Sequence, residues 1–367
     1  MTETLTLRAL NRATLARQML LAREETTVAE ATARLCGLQA QDPKPPFLGL
    51  WTRIQGFQAE DLHSALHKRE VVRATMMRGT LHLMSGADYL SLRSPLQPVL
   101  DAGLKALGTR AKGLKVEEVL PVAHALFQES PRTFTEIRSL LQAEFPDVNE
   151  RALGFAVRMG LPLVMVPTQD RWGFPRNAAF TLAETWLEAA PSPDTPAAVE
   201  ELVLRYLAAF GPASAADAQA WTGLPALGAV LDRLRPRLRV FTDDRGRELF
   251  DLPDAPRPDE ATPAPVRFLP EFDSLVLAHA DRRRVISDEH RPGLTTKNLR
   301  VRATFLWDGF AAGTWETERK RATATLRLRP FEPLPRAAVK ELTAEAEAVL
   351  TFTEPDATDL RVTVEPQ

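Results

Sequence analysis

Cysteine is nearly absent from this sequence, since Cys36 is the single cysteine among 367 residues. One cysteine forms no internal disulfide and supplies no zinc–thiolate cluster, which is typical of proteins in a reducing compartment. Apolar runs of about 18 residues, the length that a membrane-spanning helix needs, are also missing. The first residues, MTETLTLRALNRATLARQML, contain no apolar signal core. The sequence therefore predicts a cytoplasmic protein without a membrane partner.

The motifs of several enzyme classes are missing as well. The sequence has no nucleophile elbow, no phosphate-binding loop and no glycine-rich dinucleotide fingerprint. His63 and His67 have the spacing of a zinc pair, but Ser64 stands where such a motif carries glutamate, and no third ligand is close in sequence. Cys36 lies among apolar residues and is expected to be a buried, unreactive thiol. We therefore expect neither a metal nor an organic cofactor.

Two proline-rich stretches, residues 190–198 and 254–266, are typical of linkers. Together with the order of the predicted elements they divide the chain into residues 1–115, 116–192, 193–258 and 259–367. Several domains are expected at this length, because a single core rarely serves more than about 250–300 residues.

One order of elements recurs, and it is clearest in residues 116–192. A helix is predicted over residues 116–127, and Thr133 and Glu136 have the spacing of a capping box at the start of a second helix. Asn149 can cap a third helix over residues 151–159. Apolar residues 161–166, a polar turn at 168–170 and residues 171–174 then predict a β-hairpin.

The same order follows in residues 193–258, with helices over 198–210, from Ser214 to Trp221 and from Pro225 to Leu234, and a hairpin of 238–241 and 248–252. A less regular copy comes first. There Thr27 and Glu30 form a capping box for a helix reaching Leu38, residues 59–67 form another helix, and residues 71–77 and 80–84 form a hairpin. Three helices and a hairpin are the parts of a winged helix, which binds DNA.

The last segment, residues 259–367, is predicted to be β-rich. Residues 301–306, 310–317 and 323–328 alternate or carry β-branched side chains, residues 307–309 suit a hairpin turn, and residues 336–350 suit a helix. The overall prediction is an α+β chain of three tandem winged-helix units followed by a small β-rich domain.

The net charge of −2 hides an uneven distribution. Residues 281–329 contain twelve Lys/Arg against six Asp/Glu, whereas residues 341–367 contain seven acidic residues against one arginine. The basic segment is compatible with a nucleic-acid partner, although the net charge of the whole chain is close to zero.

The segment around Gln39 and Gln41 is unusual in composition. Asp42 precedes proline, and Pro43, Pro45 and Pro46 disfavour a helix, so the preceding helix must end near residues 37–41. In extended backbone, residues two apart point the same way, so Gln39 and Gln41 could converge on one site. Two polar side chains that solvate a helix end are the alternative.

Four segments resemble the winged-helix DNA glycosylases of the AlkZ type, whose relatives include the YcaQ group: Gln39-Ala40-Gln41 and residues 78–83, 268–282 and 308–315. The likeness covers nearly the full length. Members carry tandem winged helices around a concave DNA-binding face. The AlkZ group has a Gln-x-Gln motif, as here, and the YcaQ group has Gln-x-Asp. Ser274 stands where members often have asparagine.

The resemblance implies a monofunctional DNA glycosylase that acts on N7-alkylated purines in double-stranded DNA, with Gln39 and Gln41 as catalytic residues. The resemblance also implies that interstrand crosslinks formed by azinomycin-like agents are candidate substrates. His82, Asp273 and His279 lie in its motifs as possible support for the site, although apolar neighbours favour buried core histidines. Phosphate contacts are expected from basic residues, namely Arg78, Arg282, Arg283, Arg284, Arg291 and Lys297.

Two other functions stay open from the sequence. A non-catalytic, regulatory winged-helix DNA-binding protein would not need Gln39 and Gln41, and its third helices should carry more Lys/Arg than these do. An interaction scaffold would have negligible affinity for DNA. A monomer is the default expectation. The sequence does not show which adduct is preferred or whether crosslinks are accepted. It also leaves open whether the function is general repair or self-resistance in a producer of a DNA-alkylating compound.

Overall fold

The computed structural model describes residues 3–296, 298 and 300–365, so the predicted DNA contact Lys297 lies outside the described residues. Helices and strands both run through the described chain, which confirms the α+β class. The α-helices are α1 (Leu7–Arg17), α2 (Val28–Arg34), α3 (Lys44–Trp51), α4 (Ala59–His67), α5 (Gly86–Leu92), α6 (Gln97–Leu104), α7 (Val116–Glu129), α8 (Phe134–Glu144), α9 (Glu150–Gly160), α10 (Ala183–Leu187), α11 (Pro196–Phe210), α12 (Ala215–Thr222), α13 (Leu227–Leu234) and α14 (Arg336–Thr353). The β-strands are β1 (Leu38–Gln39), β2 (Val71–Thr75), β3 (Leu81–Ser85), β4 (Arg132–Thr133), β5 (Leu163–Met165), β6 (Ala179–Leu182), β7 (Arg239–Thr242), β8 (Glu248–Asp251), β9 (Arg267–Leu269), β10 (Thr304–Trp307), β11 (Phe310–Lys320), β12 (Thr323–Pro330) and β13 (Asp359–Val364).

The first two hairpins share one sheet, in the order β1-β3-β2-β5-β6-β4. They meet where Ala74 of β2 lies opposite Val164 of β5. Because side chains alternate across a strand, the sheet serves two cores. On one side of the sheet, Leu83 and Phe180 pack against helices that lie between residues 28 and 157. On the other side, Ala74 and Val164 pack against α11 residues such as Tyr206. The β7–β8 hairpin forms a separate two-stranded sheet.

The predicted helix starts are formed by the predicted caps. Thr133, Thr27 and Ser214 each form a capping box with the acidic residue three positions on. The Asn149 side chain accepts hydrogen bonds from the first N–H groups of α9 at 3.1 and 3.3 Å. These bonds satisfy amides that a helix start leaves without intrahelical partners. Two starts differ from the prediction by two residues. Helix α11 begins at Pro196 instead of Ala198, and α13 begins at Leu227 instead of Pro225, because Ala226 takes a left-handed φ of 59°.

The second strand of the middle hairpin does not lie at residues 171–174 as predicted, but at β6. The N–H of Thr168 donates to the carbonyl of Gly173 at 2.8 Å, and Gly173 has φ 78°. Residues 168–173 therefore close a loop on themselves and cannot extend a strand. At its end Phe174 is buried, with the Arg73 guanidinium 5.1 Å above its ring.

Helix α1, which the sequence did not indicate, ties the β7–β8 segment to the C-terminal segment. Arg17 is buried and donates to both carboxylate oxygens of Asp251, at 2.6 and 2.8 Å. The buried Asn11 amide donates to the carbonyls of Arg284 and Gly309, both at 2.8 Å. Since buried polar groups require such partners, α1 is held in one position relative to both segments.

The C-terminal segment is a five-stranded sheet in the order β13-β12-β11-β10-β9, with α14 packed on it. The three strands predicted there are present, and two are longer than predicted. Asp308 and Gly309, with φ of 48° and 82°, form the expected turn. The edge strand β13, which runs parallel to β12, was not predicted.

Two further findings bear on the sequence expectations. Across residues 3–296, 298 and 300–365, no helix is both long and apolar enough to cross a membrane. Cys36 is buried, and burial raises the pKa of its thiol to about 12, so little reactive thiolate forms at neutral pH.

Candidate active site around Gln39 and Gln41

The Gln-x-Gln segment follows a sharp turn after α2. The helix ends at Arg34 and not at Leu38 as predicted, because Cys36 and Gly37 take left-handed φ values of 52° and 87°. A Cβ at Gly37 would lie 2.2 Å from the sulfur of Met84, so only glycine fits there. The turn directs the chain into β1, beside β3.

The backbone at Gln39 is extended and that at Gln41 begins a bend, and both are held from two strands. Gln39 lies opposite His82 in the β1–β3 ladder, and the N–H of Ala40 donates to a carbonyl of β3 at 2.7 Å. From β2, Arg73 donates through Nε to the carbonyl of Ala40 at 2.9 Å and through Nη2 to that of Gln41 at 3.0 Å. These bonds fix where the two side chains leave the chain.

The two glutamine amides differ in exposure and in hydrogen bonding. Gln39 is 7% exposed, and its Oε1 accepts a hydrogen bond from Nη2 of Arg78 at 2.8 Å. Gln41 is exposed, and its Oε1 accepts a long hydrogen bond of 3.4 Å from the N–H of Leu81. One amide is therefore fixed, and the other is free to turn toward a substrate.

Arg78 lies at the tip of the β2–β3 hairpin, where its φ of 55° and that of Gly79, 69°, form the turn. It also donates to the carbonyl of Trp221 at the end of α12. Burial, and next the charge of Arg282, lower the pKa of Arg78 to about 10. Arg78 is thus a cation at neutral pH that joins the hairpin tip, Gln39 and α12.

His82 is fully buried beside Gln39. Its Nδ1 lies 3.0 Å from the carbonyl oxygen of Thr80, and its Nε2 has no hydrogen-bond partner among the described residues. Burial, followed by the charge of Arg78, lowers the pKa of His82 to about 3. The imidazole is therefore neutral at physiological pH and carries its proton on Nδ1.

The segment of residues 268–282 reaches the site through Asp273. The Asp273 carboxylate accepts two hydrogen bonds from Arg53, each 2.9 Å, and a third from the N–H of Leu275 at 3.0 Å. Gln39, Asp273 and Ser274 line one small cavity. The Ser274 hydroxyl is buried without a partner in the described chain, so the Asp273–Arg53 pair orders this loop.

His279 and Arg284 lie under α11, with contacts away from the glutamines. His279 Nε2 is 2.9 Å from the carbonyl oxygen of Phe210, and burial lowers the pKa of His279 to about 3. Arg284 is 3% exposed and donates to the carbonyl of Pro212 at 2.7 Å. A side chain this deep does not reach a DNA phosphate, so the expectation that Arg284 binds DNA is not retained.

The remaining predicted phosphate contacts divide into two kinds. Arg283 is neutralised by Asp244 and Asp281, at 3.0 and 2.8 Å. Arg282 is half-buried, and its pKa is lowered by burial and by the charge of Arg291, with no carboxylate contributing. The charge of Arg282 in turn lowers the pKa of Arg78, the arginine that contacts Gln39. We call Arg78, Arg282 and Arg291 the basic triplet.

Sequence reasoning missed two arginines that organise the site. Arg73 supports the Gln-x-Gln carbonyls, and Arg53 orders the Asp273 loop. The available signal was the position of Arg73 in the otherwise apolar or β-branched run of β2. An arginine inside a buried strand needs acceptors there, but which acceptors it finds depends on the three-dimensional structure.

Comparison with known proteins places the chain in a class of DNA glycosylases. The solved structure of the DNA glycosylase AlkZ of Streptomyces sahachiroi has the same fold, with a TM-score of 0.81 over 99% of this chain and 100% of that chain at 22% identity. The family model described as DNA glycosylase AlkZ-like matches residues 32–352. The chain belongs to this family of AlkZ-like DNA glycosylases.

A curated relative agrees with this assignment. The protein of Streptomyces sahachiroi named interstrand DNA cross-link repair glycosylase is 26% identical over 361 residues, which cover 90% of this chain and 92% of the relative. The resemblance and the glycosylase activity expected from the sequence are confirmed at the level of the family. This favours an enzyme over the non-catalytic regulator.

Proposed function

We propose that this chain hydrolyses the N-glycosyl bond of N7-alkylated purines in double-stranded DNA, with Gln39 and Gln41 as its catalytic residues. The observation that carries the proposal is the pair of amides in one short segment, one fixed by Arg78 and the other exposed. Membership of a DNA glycosylase family supports the reaction. The lesion and the two roles are the proposal.

The chemistry suits glutamines. Alkylation at N7 makes the purine cationic, so the base leaves with the electron pair of the C1′–N9 bond and needs no strong general acid. The sugar passes through an oxocarbenium-like state that water attacks at C1′. A glutamine amide is no general base at neutral pH, but it can orient that water and place a dipole beside the developing positive charge.

The structure favours different roles for the two residues. Exposed Gln41 orients the water, and Gln39 presents an amide dipole whose direction Arg78 fixes at 2.8 Å. Asp42, the adjacent carboxylate in sequence, is paired with Arg300 at 2.7 Å. A site that relies on amides would act on labile cationic adducts and leave ordinary bases intact.

The DNA-binding face is proposed from the order of elements. The tandem winged-helix units would be residues 1–115, 116–192 and 193–258, followed by the β-rich segment 259–367. The duplex would lie across the Gln-x-Gln segment. The basic triplet would contact phosphates, because none of its members shares an ion pair with a carboxylate in the part of the chain described. The protein would act as a monomer.

Interstrand crosslinks are a further proposed substrate. The curated relative is named for their repair. A crosslinked base is tied to both strands and cannot be flipped into a closed pocket in the usual way. The exposure of Gln41 is consistent with attack on a base that stays in the duplex.

The test is base release from a duplex containing one N7-methylguanine, scored by alkali cleavage at the abasic site, beside the unmodified duplex as control. A crosslinked duplex is run on a denaturing gel in parallel. We expect release from the lesion and none from guanine. Tight DNA binding without base release from the methyl adduct or the crosslink would overturn the proposed substrate class. It would instead support a non-catalytic DNA-binding protein.

A further inference from the structure

Arg158, near the end of α9, is a half-buried cation that has no acidic partner among residues 3–296, 298 and 300–365. Its guanidinium carbon lies 5.1 Å above the ring of Phe134 and 5.8 Å from that of Phe180. Its Nε is buried and has no hydrogen-bond partner within the described residues. Burial lowers the pKa of Arg158, and no carboxylate acts in the opposite direction. The aromatic rings thus position the side chain but do not neutralise it.

Arg158 lies on the side of the sheet formed by residues 116–192, where its guanidinium stands over the ring of Phe180 in β6. Its neighbour Met159 packs against the hairpin tip, where a Cβ at Gly79 would lie 3.8 Å from the methionine sulfur. Burial lowers the pKa of Arg73 to about 10, the Asp42 carboxylate opposes this, and the charge of Arg158 adds to it. The Arg73 guanidinium donates to the carbonyl of Gln41. On this side Arg73 contacts the backbone of Gln41, and Arg158 acts on Arg73 through its charge, whereas Arg78 of the basic triplet contacts α12.

This arrangement is costly unless an anion completes it. Burying a cation without a paired charge destabilises a fold, and here a second cation is close. A guanidinium stacked on an aromatic face keeps N–H donors at its edge, the geometry that a phosphate accepts. A backbone phosphate at the open edge of Arg158 would neutralise that cation and offset its repulsion with Arg73.

We propose that Arg158 binds a DNA backbone phosphate, so that the duplex is contacted by the middle segment as well as by the basic triplet. The proposal deepens the proposed function in that it requires DNA as the partner, but it does not depend on which lesion is cleaved. It assigns a DNA contact to α9, the third helix of the middle segment, whose few basic residues suggested weak groove reading.

The experiment measures the affinity of full-length protein for an undamaged duplex over a range of salt concentrations. Arg158→Met and Arg158→Gln are compared with Arg132→Gln, an arginine of the same segment that already pairs with Glu129 at 2.6 Å. Each lost phosphate contact should reduce the slope of log K against log salt by about 0.9. We expect that reduction in both Arg158 variants and none in Arg132→Gln.

Thermal unfolding of the same variants separates binding from structure. A cation kept for a ligand contributes little to the free protein, so Arg158→Met should unfold at the same temperature as wild type or higher, while binding DNA more weakly. An unchanged salt slope overturns the proposal. So does a variant that unfolds or fails to fold, because Arg158 would then act in the fold. Because undamaged DNA is used, failure of base release does not affect the result.

Discussion

Nη2 of Arg78 lies 2.8 Å from Oε1 of Gln39, so a cation at the hairpin tip directs an amide that lies in a different strand. The same arginine donates to the carbonyl of Trp221 in α12. The orientation of Gln39 therefore depends on contacts between segments far apart in the chain, as expected where an amide must hold one direction during a reaction.

Arg78→Met should slow base release. A hydrogen bond to a charged group contributes about 1.5–3 kcal/mol, so the single-turnover rate at saturating enzyme should fall about tenfold to a hundredfold. Arg291→Gln is the control, because it removes a cation of the basic triplet that does not contact Gln39. That variant should weaken binding and leave the saturated rate unchanged. Equal rates for Arg78→Met and wild type would show that the bond does not position Gln39.

Gly37→Ala should destabilise the protein and displace the glutamines. The alanine would need φ near 87° and would place Cβ 2.2 Å from the Met84 sulfur, so we expect a loss of about 1–3 kcal/mol in unfolding free energy. Gly228→Ala, in α13 with nothing within 4 Å of its Cβ, should instead gain about 0.5–1 kcal/mol. Urea unfolding of both variants measures the contrast, and a neutral Gly37→Ala would show that the turn adapts.

Arg53→Ala should be strongly destabilising, because it leaves the Asp273 carboxylate buried without its bidentate partner. Removal of one member of a buried pair costs about 3–5 kcal/mol. Arg34→Ala, which removes an arginine from an exposed pair with Glu24, should cost less than about 1 kcal/mol. Similar losses in the two variants would mean that Asp273 finds another partner or solvent.

The free energy of unfolding should decrease as the pH is lowered below neutral, because His82 is buried without a charge. Its pKa is about 3 in the fold and about 6.5 when unfolded. Between these values the unfolded chain binds a proton that the folded chain does not, so unfolding becomes easier as pH falls from about 6.5. The limiting slope is about 1.4 kcal/mol per pH unit. Chemical unfolding at pH 7, 6 and 5 measures the free energy of unfolding. This free energy should decrease less with falling pH in His82→Gln than in wild type or in the exposed variant His67→Gln. Parallel declines would contradict the neutral imidazole.

The elements predictable from the sequence are those that depend on local chemistry. The caps at Thr27, Thr133, Asn149 and Ser214 are formed by residues within three positions, so they can be identified from spacing alone. The hairpin turn at Arg78-Gly79 was located for the same reason. In contrast, β6 was misplaced because residues 168–173 form a loop that resembles a hairpin turn in composition.

The site was predictable in its residues but not in its contacts. Gln39 and Gln41 stood out from the surrounding prolines and from the family motif, but nothing local indicated that Arg78 binds one of them or that Arg73 holds the backbone of the other. Arg284 shows the limit most clearly. A run of three arginines suggests a basic surface, whereas the fold turns the third inward to the carbonyl of Pro212.

The most direct test of the central claim is the single-turnover rate of N7-methylguanine release by Gln39→Ala and Gln41→Ala, beside wild type and Gln169→Ala, a glutamine on the loop before β6. DNA affinity is measured on the same samples. We predict that release collapses by at least about a hundredfold in both variants, with binding retained and Gln169→Ala unaffected. Release at the wild-type rate in either variant would contradict the assignment of that glutamine to catalysis.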